Sequence, residues 1–356
     1  MSNIWDYNRI LLPVKRYLGT SRELLGCCFG AGMDIVLVGR HLTHLTLTDI
    51  LSSVRSLDLS KNELKEISAV FSKLKRLERL DISENQIAFL SSEMKCLKFL
   101  KTLIIKKNNI KSVALDFGMS QSIEKLNLAG NRLPEIPIQF TMLTRLVHLN
   151  LGSNQIVAIP KIISNLMSLE YLYLGGNKLV CLPQEMGFLP RLSALYLHNN
   201  QLINIPANFR HLRSLRTLTL HNNNLSSLPR GFLSLKHLES LTIRQNPLVQ
   251  DFVRKLPVGP PSLQEVAGRV IKNNDIYYSP EILPQPLVDY LDSAKRCVNP
   301  QCNHVYFDTR VQDVEFVDFC GLYRVPLHHY ICSPHPIEHN SSPQSPSDRM
   351  RRVLLG

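Results

Sequence analysis

Leucines set the rhythm of this chain. From Val54 to Leu248 the pattern L-x-x-L-x-L-x-x-N-x-L returns in register, as in Leu192-Ser-Ala-Leu195-Tyr-Leu197-His-Asn-Asn200-Gln-Leu202. Its asparagines fall at Asn62, Asn85, Asn108, Asn131, Asn154, Asn177, Asn200, Asn223 and Asn246, always 23 residues apart. Alternation in each L-x-L core predicts a short strand with leucines inward and the intervening side chains outward. The asparagine carries both a donor and acceptors, so it can satisfy backbone groups where the chain turns, and successive copies predict a ladder. A second apolar stretch follows, commonly Ile-Pro or Leu-Pro (Ile136-Pro137, Ile159-Pro160, Ile205-Pro206, Leu228-Pro229), and predicts short helical or irregular turns on a convex side. No copy can bury its own leucines, whereas stacked copies bury them continuously. The expected fold is an α/β solenoid with a parallel β concave face over residues 42–250.

The ends of the array break the pattern. Leu42-x-x-Leu45-x-Leu47 reads as a truncated first strand, 12 residues ahead of Val54, and residues 1–41 as an irregular cap over the open edge. On the concave face one row runs Asp58, Asp81, Ile104, Asn127, Asn150, Tyr173, Tyr196, Thr219, Thr242. A neighbouring row contains His198, His221 and Arg244, and Tyr171 stands two positions ahead of Tyr173. Tyr171, Tyr173, Tyr196, His198 and His221 are therefore expected to form one client-binding patch, since tyrosine buries a large area and keeps a polar handle. Gly152, Gly175 and Gly176 beside it would leave room for a partner. The plainer reading is that tyrosine suits a pleated, half-open surface. The histidines would make binding pH-sensitive.

After the repeats the composition changes. Residues 251–261, with Leu256-Pro-Val-Gly-Pro-Pro261, read as a linker. Ser262 is a candidate helix N-cap with Glu265 as the other half of a capping box. Leu263, Ala267 and Ile271 lie four apart on one helical face, which Val266 and Val270 widen. Leu283-Pro284-Gln285-Pro286-Leu287 follows, then Tyr290-Leu291. Residues 292–336 are rich in Cys and His. Cys297-Val-Asn-Pro-Gln-Cys302 has knuckle spacing, and Cys332-Ser-Pro-His335 comes thirty residues later, across the β-rich stretches 305–307 and 314–319. Two close pairs so separated suit structural zinc on Cys297, Cys302, Cys332 and His335, with Cys320, His304, His328 and His329 as substitutes. The alternative is a set of buried thiols. No H-E-x-x-H is present, which argues against catalytic zinc. Residues 337–356 read as a disordered basic tail.

Composition adds limits. A hydrophobic fraction of 44% suits a packed protein. No run reaches the roughly 18 apolar residues of a membrane helix, and the N-terminal residues lack a signal-peptide core, so the expectation is a cytoplasmic protein without a membrane partner. Cys27, Cys28, Cys96 and Cys181 are scattered and show no disulfide framework. The net charge is +12, and residues 61–111 hold 12 Lys/Arg against 6 Asp/Glu, half of that excess. Such a surface can meet phosphate groups, or it can simply be solvated.

The repeats resemble the leucine-rich-repeat superfamily, which implies binding and no particular partner. Residues 262–291 resemble the suppressor-of-cytokine-signalling box. That resemblance implies an Elongin B/C-binding helix, with Leu263, Ala267 and Ile271 in contact. It also implies a segment selecting cullin-5 (or cullin-2) with its RING subunit, through Leu283, Pro284, Pro286, Leu287, Tyr290 and Leu291. Two departures stand out: Ala267 where cysteine is usual, and Gly268, which lowers helix propensity by up to ~1 kcal/mol. The run from Ser262 to Ile331, with V-Y-F-D at 305–308, F-V-D-F-C-G at 316–321 and C-S-P at 332–334, resembles one family of leucine-rich-repeat proteins, as does the terminal Arg351-Arg-Val-Leu-Leu-Gly356. That family reads C-S-P-x-C, and here Pro336 takes the second cysteine position, leaving His335 as its replacement. The resemblance implies cysteine dioxygenase as client. The combined expectation is a non-catalytic substrate-recognition subunit of an Elongin B/C–cullin-5 RING ubiquitin ligase. The alternative is a signalling scaffold, or a nucleic-acid binder acting through the basic early repeats.

Overall fold

The computed structural model describes residues 33–44, 54–67, 69–117, 122–249, 261–297, 302 and 304–332. They divide into two compact units. The first runs to Leu179 and includes Leu189–Leu197; the second holds Val180–Phe188 and everything from His198.

The first unit contains strands β1 (Met33–Val36), β2 (Val54–Asp58), β3 (Arg79–Asp81), β4 (Phe89–Leu90), β5 (Thr102–Ile104), β6 (Ser112–Val113), β7 (Lys125–Asn127), β8 (His148–Asn150), β9 (Tyr171–Tyr173) and β10 (Ala194–Tyr196). All but β4 and β6 form one parallel sheet in chain order, and those two pair with each other. The register sets leucine against leucine: Leu80, Leu103, Leu126, Leu149, Leu172 and Leu195 align across adjacent strands and are fully buried. Each strand donates one apolar side chain to the same line, so the core is continuous along the stack.

The first strand departs from the expected cap. Met33–Val36, inside residues 1–41, pairs with Val54–Asp58, with Asp34 opposite Ser56 and Val36 opposite Asp58. The apolar Ile35 is buried opposite Leu57, and β1 becomes the edge strand of the sheet. Leu42 is not in a strand, and its N–H instead donates to Asn62 Oδ1 at 3.1 Å. Leu45 and Leu47 lie outside the described residues, as do residues 1–32, the linker residues 251–260 and the tail.

The asparagines act as the sequence predicts. Asn154 Oδ1 accepts the Leu133 N–H at 3.1 Å, while its Nδ2 donates to the carbonyls of Leu128 and Leu151 at 3.0 Å each. Asn85, Asn108, Asn131 and Asn177 repeat this pattern, as do Asn223 and Asn246 in the second unit by accepting from Leu202 and Leu225. The residue before each asparagine adopts a left-handed backbone: Lys61, Glu84, Lys107, Gly130, Ser153 and Gly176, with φ between 54° and 72°. That reversal turns the chain off the strand and leaves the amides and carbonyls that the asparagine caps. Behind the strands, prolines open short 3₁₀ turns at Ile138–Met142 and Lys161–Asn165, and after Pro206 and Pro229 in the second unit. Proline fixes the φ that such a start needs and gives up an N–H that would lack a partner there.

The second unit contains β11 (Thr217–Thr219), β12 (Leu228–Pro229), β13 (Ser240–Thr242), helices α1 (Leu263–Asn273) and α2 (Gln285–Asp292), then β14 (Lys295–Arg296), β15 (Val305–Tyr306), β16 (Val311–Phe319) and β17 (Leu322–Ile331). β16 and β17 form an antiparallel hairpin. Its two-residue turn is Cys320-Gly321, both left-handed at φ 55° and 75°, the twist that matches the flanking strands. β17 also pairs in parallel with β12, setting Leu327 opposite Leu228. His328 Nδ1 lies 3.0 Å from Ser227 Oγ, and the Cys320 thiol donates to the Leu238 carbonyl at 3.3 Å. The C-terminal hairpin is thus bonded to the last repeats. No helix among the described residues is long and apolar enough to cross a membrane.

Candidate functional site

Two surfaces carry the predicted site residues. The first is the strand face of the first unit. Its outward row begins with polar side chains committed to their own backbone. Asp58, Asp81, Asn127 and Asn150 each accept the N–H two residues on, at 2.9 to 3.0 Å. The row then changes to rings. Tyr173 and Tyr196 stack with centroids 5.1 Å apart, and Tyr171 stacks on His148 at 4.4 Å and 6°. All four rings are half-buried, so each presents one surface to solvent. His148 was not singled out in the sequence, although it lies one period before Tyr171. Gly152 does not leave room for a partner as expected. A Cβ there would fall 2.4 Å from Tyr173 Cε1, so the Tyr173 ring fills that space. Gly175 is buried and Gly176 occupies a left-handed turn, so both serve the repeat.

His198 and His221 belong to the second unit. Their rings stack at 4.7 Å and 5°, and their Nδ1 atoms meet Thr219 and Thr242 hydroxyls at 3.1 and 3.2 Å. Burial lowers both imidazoles below their usual value, His221 adding to the effect on His198 and Arg244 to that on His221. Burial, then Lys125, pushes His148 down to about 4. These rings are neutral at pH 7 and stack as aromatic surfaces, without cationic repulsion.

The second surface is α1. Ser262 caps it, accepting the Glu265 N–H at 3.1 Å. The Glu265 carboxylate does not complete a capping box. It points inward, fully buried, accepts the Thr309 N–H at 2.9 Å and the Phe307 N–H at 3.4 Å, and pairs with Arg269 at 2.6 Å. Burial raises its pKa, and the bonds from Thr309, Arg269 and Phe307 outweigh that, leaving it below the ordinary carboxylate value. Arg269 donates onward to the Thr309 carbonyl at 2.6 Å and the Cys332 carbonyl at 3.3 Å. Gly268 is needed here: a Cβ would sit 2.9 Å from Phe307 Cζ. The helix is therefore pressed onto the chain around Phe307 through Glu265, Gly268 and Arg269.

The opposite face is bare. Leu263 is 89% exposed, and Val266, Ala267 and Val270 follow it at helical spacing, all exposed. Four apolar residues at i, i+3, i+4 and i+7 make a stripe of the kind that seeks a partner. Ile271 does not join Leu263 and Ala267. It packs with Leu283 and Tyr290 against Leu291, Val305 and Phe307, because eight helical steps turn it about 80° from Leu263. The 283–291 segment divides in the same way. Pro284, Pro286 and Leu287 are exposed, whereas Leu291 is buried and Tyr290 stacks on Phe307 at 4.6 Å. The signal for this division was the helical angle, which four-residue spacing alone blurs.

Of the predicted metal ligands, Cys297, Cys302 and Cys332 come together, their sulfurs all within 4.8 Å of one another. His335 lies outside the described residues. Cys320 and His328 face the repeats instead. None of the six described cysteines is in a disulfide.

Fold and repeat geometry together define a leucine-rich-repeat protein, a class that works as a protein-interaction scaffold. The leucine-rich-repeat family models agree: one matches residues 98–156 and 206–248, and a two-copy version matches 52–92. The chain is similar to leucine-rich repeat-containing protein 58. Identity is 50% to the Xenopus laevis protein across 31% of this chain and 35% of that one, and 56% to the Homo sapiens protein across 25% and 24%. The matched part thus spans between about a quarter and a third of those relatives. Among solved structures, a Leptospira interrogans leucine-rich-repeat protein superposes with TM-score 0.55 at 32% identity, covering 56% of this chain and 57% of that one. A TDR receptor does so with TM-score 0.51 at 32% identity, covering 56% and 36%.

Proposed function

We propose that this chain is the substrate-recognition subunit of an Elongin B/C–cullin-5 RING ubiquitin ligase. The strand face selects a client, and residues 262–291 deliver it. The observation that carries the reading is Leu263, 89% exposed on the first turn of a helix whose other face is locked by Glu265 and Arg269. A leucine held out at the head of an exposed apolar stripe contributes nothing to this fold, but it suits a pocket on a partner. Pro284, Pro286 and Leu287, exposed on the following segment, suit the cullin contact. Ubiquitin transfer is then a proximity effect, with no reacting group supplied by this chain.

Co-purification tests the reading. Leu263→Ala is expected to lose Elongin B/C while keeping client, and Tyr173→Ala with Tyr196→Ala to release client while keeping Elongin B/C. Cysteine dioxygenase, the client the resemblance implies, is the first to use. Elongin recovery unchanged by Leu263→Ala contradicts the proposal. The basic early repeats favour nucleic acid less, because Lys95, Lys101 and Lys107 already meet Asp116, Glu78 and Glu84 at 2.7 to 3.1 Å. Steep loss of client binding with added salt would reverse that preference.

A further inference from the structure

We propose that Cys297, Cys302, His304 and Cys332 form a structural zinc site that staples the C-terminal hairpin to the strand pair beneath α1. Three chain segments converge there. Cys297 follows β14, and its N–H donates to the His304 carbonyl at 2.9 Å, adding one pair to the β14–β15 ladder. Cys302 precedes β15 on the returning arm, with its sulfur 3.3 Å from His304 Nδ1. Cys332 ends β17, thirty residues away, with its sulfur 3.5 Å from that of Cys302. Cys297 and Cys332 are buried with Tyr306, Val311 and Ile331, while His304, beside Cys302, is exposed.

The donor set fits the ion. Zinc bound tetrahedrally at about 2.3 Å per thiolate sets sulfurs about 3.8 Å apart. The three sulfurs here already stand within 4.8 Å, one pair at 3.5 Å. Apolar packing alone gives no reason to gather three thiols from three segments, and His304 stands beside one of them as the nearest fourth donor. A disulfide would use two of the sulfurs and leave the third beside it. On binding, each thiol gives its proton to solvent, three in all, and a neutral imidazole nitrogen completes the shell. The site then carries one net negative charge. Arg269, donating to the Cys332 carbonyl at 3.3 Å, offsets that charge from the second shell and links the metal to α1.

The site stands apart from the ligase reading, since zinc is measured without Elongin. A chain that holds zinc but does not bind Elongin refutes only the earlier proposal. The test uses the full chain purified under reducing conditions, with zinc counted by native mass spectrometry. One zinc per chain is expected in the wild type, and almost none in Cys302→Ser or Cys332→Ser. His304→Ala, at an exposed position, should keep the fold and weaken zinc at least about tenfold in competition with a chelator. His335→Ala should leave it unchanged. Cobalt exchanged into the wild type should give thiolate charge-transfer and tetrahedral d–d absorption, a readout that needs no variant. A zinc-free wild type, a Cys302–Cys332 disulfide persisting in reductant, zinc retained by Cys302→Ser, or weakening by His335→Ala in place of His304→Ala would each overturn the site as drawn.

Discussion

Asn154 makes four buried bonds, to the preceding turn and to its own, using both the donor and the acceptor of its amide. Asn154→Ala leaves the buried Leu133 N–H unmet, while the Leu128 and Leu151 carbonyls keep their bonds from Asn131 and Asn177, a cost on the order of 2 kcal/mol. The urea midpoint should fall accordingly, and a change below about 1 kcal/mol would contradict the ladder's role. His148 adds a pH dependence of known sign. Its folded value is lowered to about 4, whereas an unfolded imidazole titrates near about 6.5. Between those values the unfolded chain binds more protons. The histidine's contribution is therefore complete above about pH 6.5 and is lost as pH falls toward about 4. The ring-proton NMR shift of His148 should titrate near the lower value; a midpoint above about 6 would show a solvated ring. At this scale the ladder was legible because one residue type recurs at one period. The ring pair His148–Tyr171 was not singled out, because histidine and tyrosine share a position without sharing a letter.

At the scale of elements, α1 shows what pattern resolves and what it does not. Its start at Ser262 and the Leu263, Val266, Ala267 and Val270 part of its exposed stripe follow from residue order, whereas Ile271, expected on the same face, turns inward. The inward turn of Glu265 does not, since a capping box and a buried clamp use the same residues at the same spacing. Only the arrival of Phe307 and Thr309, more than forty positions later, decides between them. Gly268 is the clearest case. By propensity it costs the helix up to ~1 kcal/mol, yet the Phe307 ring occupies the place of its Cβ. Gly268→Ala therefore trades a helix gain of that size against overpacking of about 1–3 kcal/mol. The ring is held by stacking on Tyr290, and the Phe307 amide by Glu265, so relief is limited. The net expectation is destabilisation by about 1 kcal/mol in thermal unfolding; a stabilised variant would show that α1 sits further from Phe307. The first strand is the opposite case. Met33–Val36 carries too little of the leucine pattern to announce itself, and it is recognised by pairing with β2.

At the scale of the whole molecule, the proposed function separates selection from delivery. The repeats are a scaffold whose outward rows vary while the inward leucines do not. The region after them spends its buried contacts, Glu265, Gly268, Ile271, Tyr290 and Leu291, on holding one helix in place. What that helix then offers is apolar and exposed. Burying one leucine side chain is worth about 2 kcal/mol, or about 30-fold in affinity. The most direct test of this account is the affinity of purified Elongin B/C for the full chain and for Leu263→Ala. The account predicts about 30-fold weaker binding with an unchanged melting temperature, because the side chain is outside the fold. Equal affinities, or no binding by the wild-type chain, would contradict it.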